Sequence, residues 1–166
     1  MNPGLSSVAG DHLQFTINDG LEAASADFNG YNGLTLKDLS YISYHAKYNQ
    51  TGTDQHGGTP YFRIFTEDFE NSVIFSPNTQ PGAVINSGAW QKFTPTSGTV
   101  RWNDDGGEFP DISWATLIAG HGNESISQIR LQTGCSGGYG ENTVTQADDL
   151  TVVAEGTKSN FDFGQN

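Results

Sequence analysis

The chain has 166 residues, a length that suits one domain with its own hydrophobic core. It carries 19 Asp and Glu residues against 7 Lys and Arg, which gives a formal net charge of −12. This balance argues against nucleic acid and anionic membranes as partners, because both attract clustered cations. No apolar run approaches the roughly 18 residues of a membrane span, so no membrane insertion is predicted. The single cysteine, Cys135, excludes an intrachain disulfide.

The sequence predicts an all-β fold with little helix. Residues 19–28 allow one or two helical turns, and the remainder divides into short strands separated by Gly, Asn, Asp and Pro. About nine strands are predicted, in chain order at 12–17, 39–49, 60–67, 72–78, 90–96, 99–103, 112–120, 125–134 and 142–154. Strands without intervening helices favour antiparallel pairing and a β-sandwich of jelly-roll type. Residues 1–156 are predicted to form one domain, followed by a tail or added strand over 157–166.

Three of these strands carry a polar face beside an apolar one. Successive side chains of a strand point to opposite faces, so residues two apart share a face. The polar faces supply six candidate ligand-binding residues: Tyr41, His45, Tyr61, Arg63, Gln128 and Arg130. Amide and guanidinium groups match the vicinal hydroxyls of sugars, and aromatic rings provide a flat surface for stacking. An ordinary solvated sheet face is the alternative for each strand.

Metal-ligand patterns are weak in the middle of the chain. The acidic loop 102–111 has the oxygen atoms and glycines of a calcium site, but it lacks the alternating spacing of an EF-hand loop. A solvated acidic turn is the alternative. The four histidines show no H-x-H or H-x-x-x-H spacing, so no zinc site is predicted. Trp102 and Trp114 each alternate in phase with apolar neighbours and are predicted to lie in the core.

The last predicted strand contains two adjacent aspartates. By strand alternation, Asp148 shares a face with Val144, Leu150 and Val152, which is the predicted buried side. Asp149 points to the opposite side. An unpaired buried carboxylate is strongly disfavoured, so Asp148 requires a partner.

Two stretches resemble the jelly rolls of carbohydrate-binding modules and related bacterial surface β-sandwiches. The segment ADDL (147–150), which follows the Gly-rich TGCSGGYGENT, resembles their closing strand. The segments LKDLSYISYHAKYN and PYFRIFTED resemble an early strand pair. In several such families the closing-strand Asp binds a structural calcium together with oxygens of the N-terminal segment. The resemblance implies such a site for Asp148 with Asp11 and Asp19; the alternative is a carboxylate that accepts backbone N–H bonds at a strand bend.

The resemblance and the polar faces together imply a non-catalytic carbohydrate-binding module that acts outside the cell or at its surface. No signal peptide is predicted at the N-terminus of the sequence. A structural module of a surface layer, filament or virion, which self-associates, is the alternative, since the tail could pair as an extra strand. A polysaccharide-degrading enzyme is the third hypothesis. It is disfavoured because glycosidases need two carboxylates about 5–9 Å apart across a cleft, and no two carboxylates of this chain pair by strand phase.

Overall fold

The structure is a computed structural model that describes residues 2–3, 5–18, 22–50, 59–82, 88–104, 107–108, 110–134 and 143–163. Within those ranges the chain forms more strands than the nine predicted. They are β1 (Asn2–Pro3), β2 (Leu5–Val8), β3 (Leu13–Ile17), β4 (Glu22–Phe28), β5 (Leu39–Gln50), β6 (Tyr61–Thr66), β7 (Asn71–Phe75), β8 (Gln91–Phe93), β9 (Thr99–Asp104), β10 (Gly107–Glu108), β11 (Ile112–Ser113), β12 (Ile126–Thr133), β13 (Thr143–Ala154) and β14 (Thr157–Phe161). One α-helix, α1, spans Trp114–His121, and short 3-10 turns occur at Leu36–Asp38, Glu67–Phe69, Pro77–Thr79 and Pro95–Ser97.

Two sheets pack face to face and form a mostly antiparallel β-sandwich. The eight-stranded sheet has the order β1-β4-β12-β6-β7-β9-β10, with β11 also paired to β9. The six-stranded sheet has the order β2-β3-β13-β5-β8, with β14 also paired to β13. In the second sheet β13 lies between β3 and β5, just as β12 lies between β4 and β6 in the first. The predicted all-β sandwich is confirmed, with more strands than the nine predicted.

The core lies between the sheets because each long strand directs every second side chain inward. On β5, Ile42 and Tyr44 are fully buried, and Phe62 of β6 and Leu131 of β12 face them with at most 1% exposure. The Tyr44 hydroxyl donates a hydrogen bond of 2.8 Å to the carbonyl oxygen of Pro60, so its burial leaves no unpaired polar atom. The inward faces predicted for 39–49, 60–67 and 125–134 are therefore correct at these positions.

Two local predictions are wrong. Only Ile112–Ser113 of the predicted strand 112–120 is extended, because the Ser113 hydroxyl caps α1 by accepting a 3.1 Å hydrogen bond from the Thr116 amide. Within α1, Leu117 is buried. Trp114 was predicted to lie in the core, but it is only partly buried and packs against the core from outside. Helical turns were predicted at 19–28, but the described part of this segment forms the strand β4. Pairing of β4 with β12 overrides the helix propensity of the alanines in the segment.

A bulge in β13 overturns the predicted orientation of Asp148. The pairing of β13 with β5 shifts register between Asp148 and Thr151, and Asp149 adopts φ 50°. The buried side chains are therefore Thr143, Thr145 and Ala147 before the bulge and Leu150, Val152 and Ala154 after it. A period of two cannot be carried across an inserted residue. Asp148 consequently lies outside the core, and Val144 and Val152 do not share a face.

Candidate functional site

The three arginines of the chain lie in one row across the outer face of the eight-stranded sheet. Arg130 of β12 pairs in register with Asp27 of β4 on one side and with Arg63 of β6 on the other. Arg63 is opposite Ile74 of β7, which in turn is opposite Arg101 of β9. The four lysines lie on other elements. A protein with net charge −12 thus concentrates its guanidinium groups on one surface.

Within this row the arginines have different partners. Arg130 binds Asp27 through two hydrogen bonds of 2.6 and 3.2 Å, the fork geometry that favours carboxylates. Arg101 Nε lies 3.3 Å from Asp111 Oδ1. Arg63 donates a 3.0 Å hydrogen bond from Nη2 to the Ser72 hydroxyl. In the described part of the chain, no carboxylate lies within ion-pairing distance of Arg63.

The ring of Phe65 lies between the two central arginines. The guanidinium carbons of Arg63 and Arg130 are 4.4 and 5.0 Å from the ring centroid, distances typical of cation–π contacts. Burial lowers the pKa of the Arg63 guanidinium, and the neighbouring charge of Arg130 lowers it further. We call the outward-facing set Tyr61, Arg63, Phe65, Gln128 and Arg130 the arginine face.

An open cavity of about 550 Å³ adjoins the arginine face. Its lining is mostly amide, hydroxyl and carboxyl groups, from Asn29, Asn32, Glu67, Ser125, Ser127 and Gln128, with Phe69 as the aromatic wall. The Phe69 side chain is 55% exposed, and its ring lies 5.2 Å from that of Phe65. Gln128 accepts a 3.1 Å hydrogen bond from Arg130, so this Phe69 cavity and the arginine face are continuous.

A tight turn presents Phe69 to solvent. Within the 3-10 turn Glu67–Phe69, Glu67 has φ 48° and Phe69 has φ 76°, values that are unfavourable for residues other than glycine. The turn is held by the Glu67 amide, which donates 3.1 Å to the Ser125 carbonyl, and by Asn71 Nδ2, which donates 3.1 Å to Glu67 Oε2. Backbone strain of this kind is concentrated at functional sites in proteins.

Two carboxyl groups meet at the rim of the cavity. A hydrogen bond with Glu67, together with burial and the charge of Glu67, raises the pKa of Glu124 to about 7. Nδ1 of His121 lies 3.8 Å from Glu124 Oε1, and the His121 ring stacks on Trp102 at 3.9 Å. With this pKa, the Glu124 carboxyl is partly protonated near neutral pH. The strand pattern could not reveal this pair, because both residues belong to turns.

The other two predicted ligand residues lie on the outer face of the six-stranded sheet. His45 Nδ1 is 3.2 Å from Asp149 Oδ2, a close approach whose angles are not those of a hydrogen bond. The Lys92 amine lies 5.9 Å from the Tyr41 ring, and hydrogen bonds with Ser43 and Lys92 lower the pKa of Tyr41. The six candidates are therefore split: Tyr61, Arg63, Gln128 and Arg130 come together, whereas Tyr41 and His45 are on the opposite side of the sandwich.

The predicted calcium ligands are placed as follows. Asp148 Oδ1 accepts hydrogen bonds from the backbone N–H groups of Asp149 at 2.8 Å and Phe163 at 3.3 Å. A carboxylate that accepts backbone N–H bonds at a strand bend is the alternative to calcium stated in the sequence analysis. Asp11 Oδ1 lies 3.0 Å from His12 Nδ1. Asp19 lies outside the described residues. Among the residues that are described, no three His, Cys, Asp or Glu side chains are grouped closely enough to hold a metal ion. Calcium binding stays a prediction.

Several residues of this site were not among the predicted ones. Phe65 follows Tyr61 and Arg63 at the two-residue spacing, so the strand pattern contained the signal for it. Asn29, Asn32 and Phe69 lie in turns and carry no periodic signal. They join the site because the C-terminal ends of β4 and β6 and the start of β12 lie side by side at the same end of the sheet.

No protein-family model matches this chain, and no curated protein matches it significantly. The resemblance to carbohydrate-binding modules therefore stays a prediction. In the part of the chain that is described, no helix has the length and apolar character needed to cross a membrane.

Proposed function

We propose that this protein is a non-catalytic carbohydrate-binding module whose saccharide occupies the Phe69 cavity and extends over the arginine face. The observation that carries the proposal is the exposed ring of Phe69 beside a cavity lined by Asn29, Asn32, Ser127 and Gln128. Saccharide recognition combines apolar stacking with paired donors and acceptors for hydroxyl groups, and this surface offers both.

The fold supports the proposal because it fixes the recognition groups before the ligand arrives. Arg63, Gln128 and Arg130 are on central strands of the sheet, and hydrogen bonds hold the three side chains in place. Ordering these side chains on binding therefore costs little conformational entropy. Action outside the cell or at its surface belongs to the same proposal and rests on the resemblance of the sequence to secreted modules.

The test is a glycan array followed by titration calorimetry. Phe69→Ala is expected to weaken binding of the best glycan by at least about tenfold, since stacking on one aromatic ring contributes on the order of 1 kcal/mol or more. Trp90→Ala is the matched control, because Trp90 is 44% exposed and contacts His12 beside the other sheet. Equal losses in the two variants, or no glycan bound by the native protein, would overturn the proposal.

A structural calcium is part of the proposal and has its own test. If Asp148 and Asp11 hold calcium, EDTA lowers the melting temperature and added calcium restores it, because a ligand of the folded state stabilises that state. The hydrogen bonds from the Asp149 and Phe163 amides to Asp148 give that carboxylate a role without metal. A melting curve that EDTA leaves unchanged refutes calcium and leaves carbohydrate binding untouched.

The same preparations separate the other hypotheses. Light scattering that rises to ordered polymers with concentration favours the self-associating structural module. Release of shorter sugars from a bound polysaccharide favours an enzyme. Glu67 raises the pKa of Glu124, and a contact close enough to do so differs from the separation of roughly 5–9 Å between the two carboxylates of glycosidases. We therefore assign them no hydrolytic role.

A further inference from the structure

We infer that the saccharide bound at this site carries an anionic group, a carboxylate or a sulfate, and that the guanidinium of Arg63 binds it. This inference rests on the proposed function and names the chemical class of its ligand. It is carried by the position of Arg63 at the centre of the arginine row and by its missing counter-ion.

The charges in the row do not balance. Arg130 is neutralised by Asp27 and Arg101 by Asp111, which leaves Arg63 as the cation without a carboxylate among the described residues. Arg63 also lies directly opposite Arg130 on the adjacent strand, and burial together with the charge of Arg130 lowers the pKa of Arg63. Like charges placed opposite each other destabilise a sheet. An anion bound at Arg63 would remove this unfavourable interaction.

The hydrogen bonds of Arg63 also leave room for a ligand. Nη2 is bonded to Ser72, but Nε is buried and has no hydrogen-bond partner in the described part of the chain. A buried N–H group without a partner costs free energy, so such groups are rare in native proteins. A planar carboxylate, or two oxygens of a tetrahedral sulfate, accepts two parallel N–H bonds from a guanidinium. Because Nε of Arg63 is buried, the side chain has to turn toward the ligand for Nε to donate.

The surroundings of Arg63 match a sugar that bears the anion. Tyr61 and Phe65 are on the same strand face and flank Arg63 at the two-residue spacing. Gln128 lies between the row and the Phe69 cavity. A charged substituent at Arg63 therefore places the sugar rings toward the cavity, where the amide and hydroxyl groups are. The overall charge of −12 repels polyanions, so the local cation gives selectivity for a ligand that reaches this face.

The experiment compares acidic saccharides with neutral counterparts of the same backbone. The probes are polygalacturonate against its fully methyl-esterified form, and chondroitin sulfate against desulfated and carboxyl-reduced chondroitin. We expect an acidic form to bind at least about tenfold more tightly than its neutral counterpart, as expected for a charge-assisted hydrogen bond. Chondroitin sulfate from which only the sulfates, or only the carboxylates, have been removed separates a carboxylate ligand from a sulfate ligand.

Three outcomes are distinguishable. Tighter binding of an acidic form supports the inference. Equal binding of acidic and neutral forms overturns the inference and leaves the carbohydrate-binding proposal standing. No binding of these probes or of any glycan on the array overturns both.

Variants of Arg63 locate the interaction. Arg63→Gln is expected to lose at least about tenfold in affinity for the acidic form and little for the neutral one. Arg63→Lys keeps the charge but not the planar fork, so we expect an intermediate loss. Lys158→Gln removes the same charge from the exposed strand β14 of the other sheet and is the control. An equal loss for acidic and neutral forms in Arg63→Gln, with the melting temperature unchanged, would overturn the assignment.

Discussion

The outer faces of the two sheets carry similar residues but arrange them differently. On the eight-stranded sheet, Arg63 and Arg130 flank the ring of Phe65 and adjoin the Phe69 cavity. On the six-stranded sheet, His45 lies beside Asp149, and Tyr41 lies beside Lys92. On the first face, Arg63 has no carboxylate partner among the described residues and a cavity lies beside it, whereas the charged groups of the second face lie close to partners. Residue type alone does not define a binding surface; the pairing of the groups and the shape beside them do.

Among the tests of the difference between the two outer faces, replacement of Phe65 is expected to change stability most. Phe65→Ala removes an 8% exposed ring from between two guanidinium groups. We expect a loss of about 3 kcal/mol in the free energy of unfolding, because apolar contacts disappear and two like charges face each other. Denaturant titration measures it. Trp90→Ala on the other side should stay within about 0.5 kcal/mol. A similar loss in both variants would remove the distinction between the two faces.

A second difference is the dependence of stability on pH at the cavity rim. The folded-state pKa of Glu124, about 7, lies above its ordinary value of 4.5. Below pH 4.5 the group is protonated in both states. As the pH rises from there to about 7, the unfolded state releases the proton first, and the folded state loses stability. We expect a decrease of about 1–2 kcal/mol, less than the full shift implies because Glu124 is partly exposed.

The measurement is denaturant unfolding of the native protein and of Glu124→Gln at a series of pH values from 4 to 8. The variant cannot ionise at this position, so its stability should lack this decrease. If the native protein and the variant follow the same pH profile, the pKa of Glu124 is not raised in the folded protein.

A smaller effect is expected at the edge of the arginine row. Asp27→Asn leaves the forked hydrogen bonds of Arg130 without a carboxylate. Because both side chains are partly exposed, we expect a loss of about 1 kcal/mol in the free energy of unfolding. The variant should also bind acidic saccharides more tightly, since Arg130 becomes a second cation without a counter-ion. Weaker binding of the acidic form would contradict this account of the row.

The smallest effect is expected on the six-stranded sheet. Asp149→Asn removes the charge beside His45 but keeps a residue type that tolerates the positive φ of the bulge. We expect a change within about 0.5 kcal/mol in unfolding and no change in saccharide affinity. A loss of affinity here would show that the ligand contacts this face, and the contrast between the two sheets would fail.

The sequence was sufficient for the parts of the fold that depend on regular alternation. The inward positions of β5, β6 and β12 follow from a period of two, and a chain of short strands joined by turn residues favours a sandwich. The helix Trp114–His121 was predicted as a strand, because its residue pattern also fits a strand and the helix depends on the single N-cap residue Ser113. The orientation of Asp148 was predicted wrongly because one inserted residue at the bulge exchanges the two faces of β13.

The candidate site was predictable only in part. Alternation shows that Arg63 and Gln128 point outward, but it does not show to which sheet a strand belongs. Tyr41 and His45 were therefore grouped with residues that lie on the far side of the sandwich. Phe69 and the carboxyl pair Glu67 and Glu124 depend on turns whose conformation is set by tertiary contacts, and no local pattern encodes these.

The bulge at Asp148–Asp149 also gives the two halves of β13 different neighbours on one side, while β5 pairs with both halves on the other. Residues 143–147 pair with β3, whereas residues 150–154 pair with β14, which follows through the tight turn Glu155–Gly156 with φ of 48° and 75°. Asp148 accepts a hydrogen bond from the backbone N–H of Phe163, which holds the segment after β14 against β13. Amide hydrogens of β14, which pairs with β13 alone among the described strands, should therefore exchange with solvent before those of 150–154, which β5 also protects.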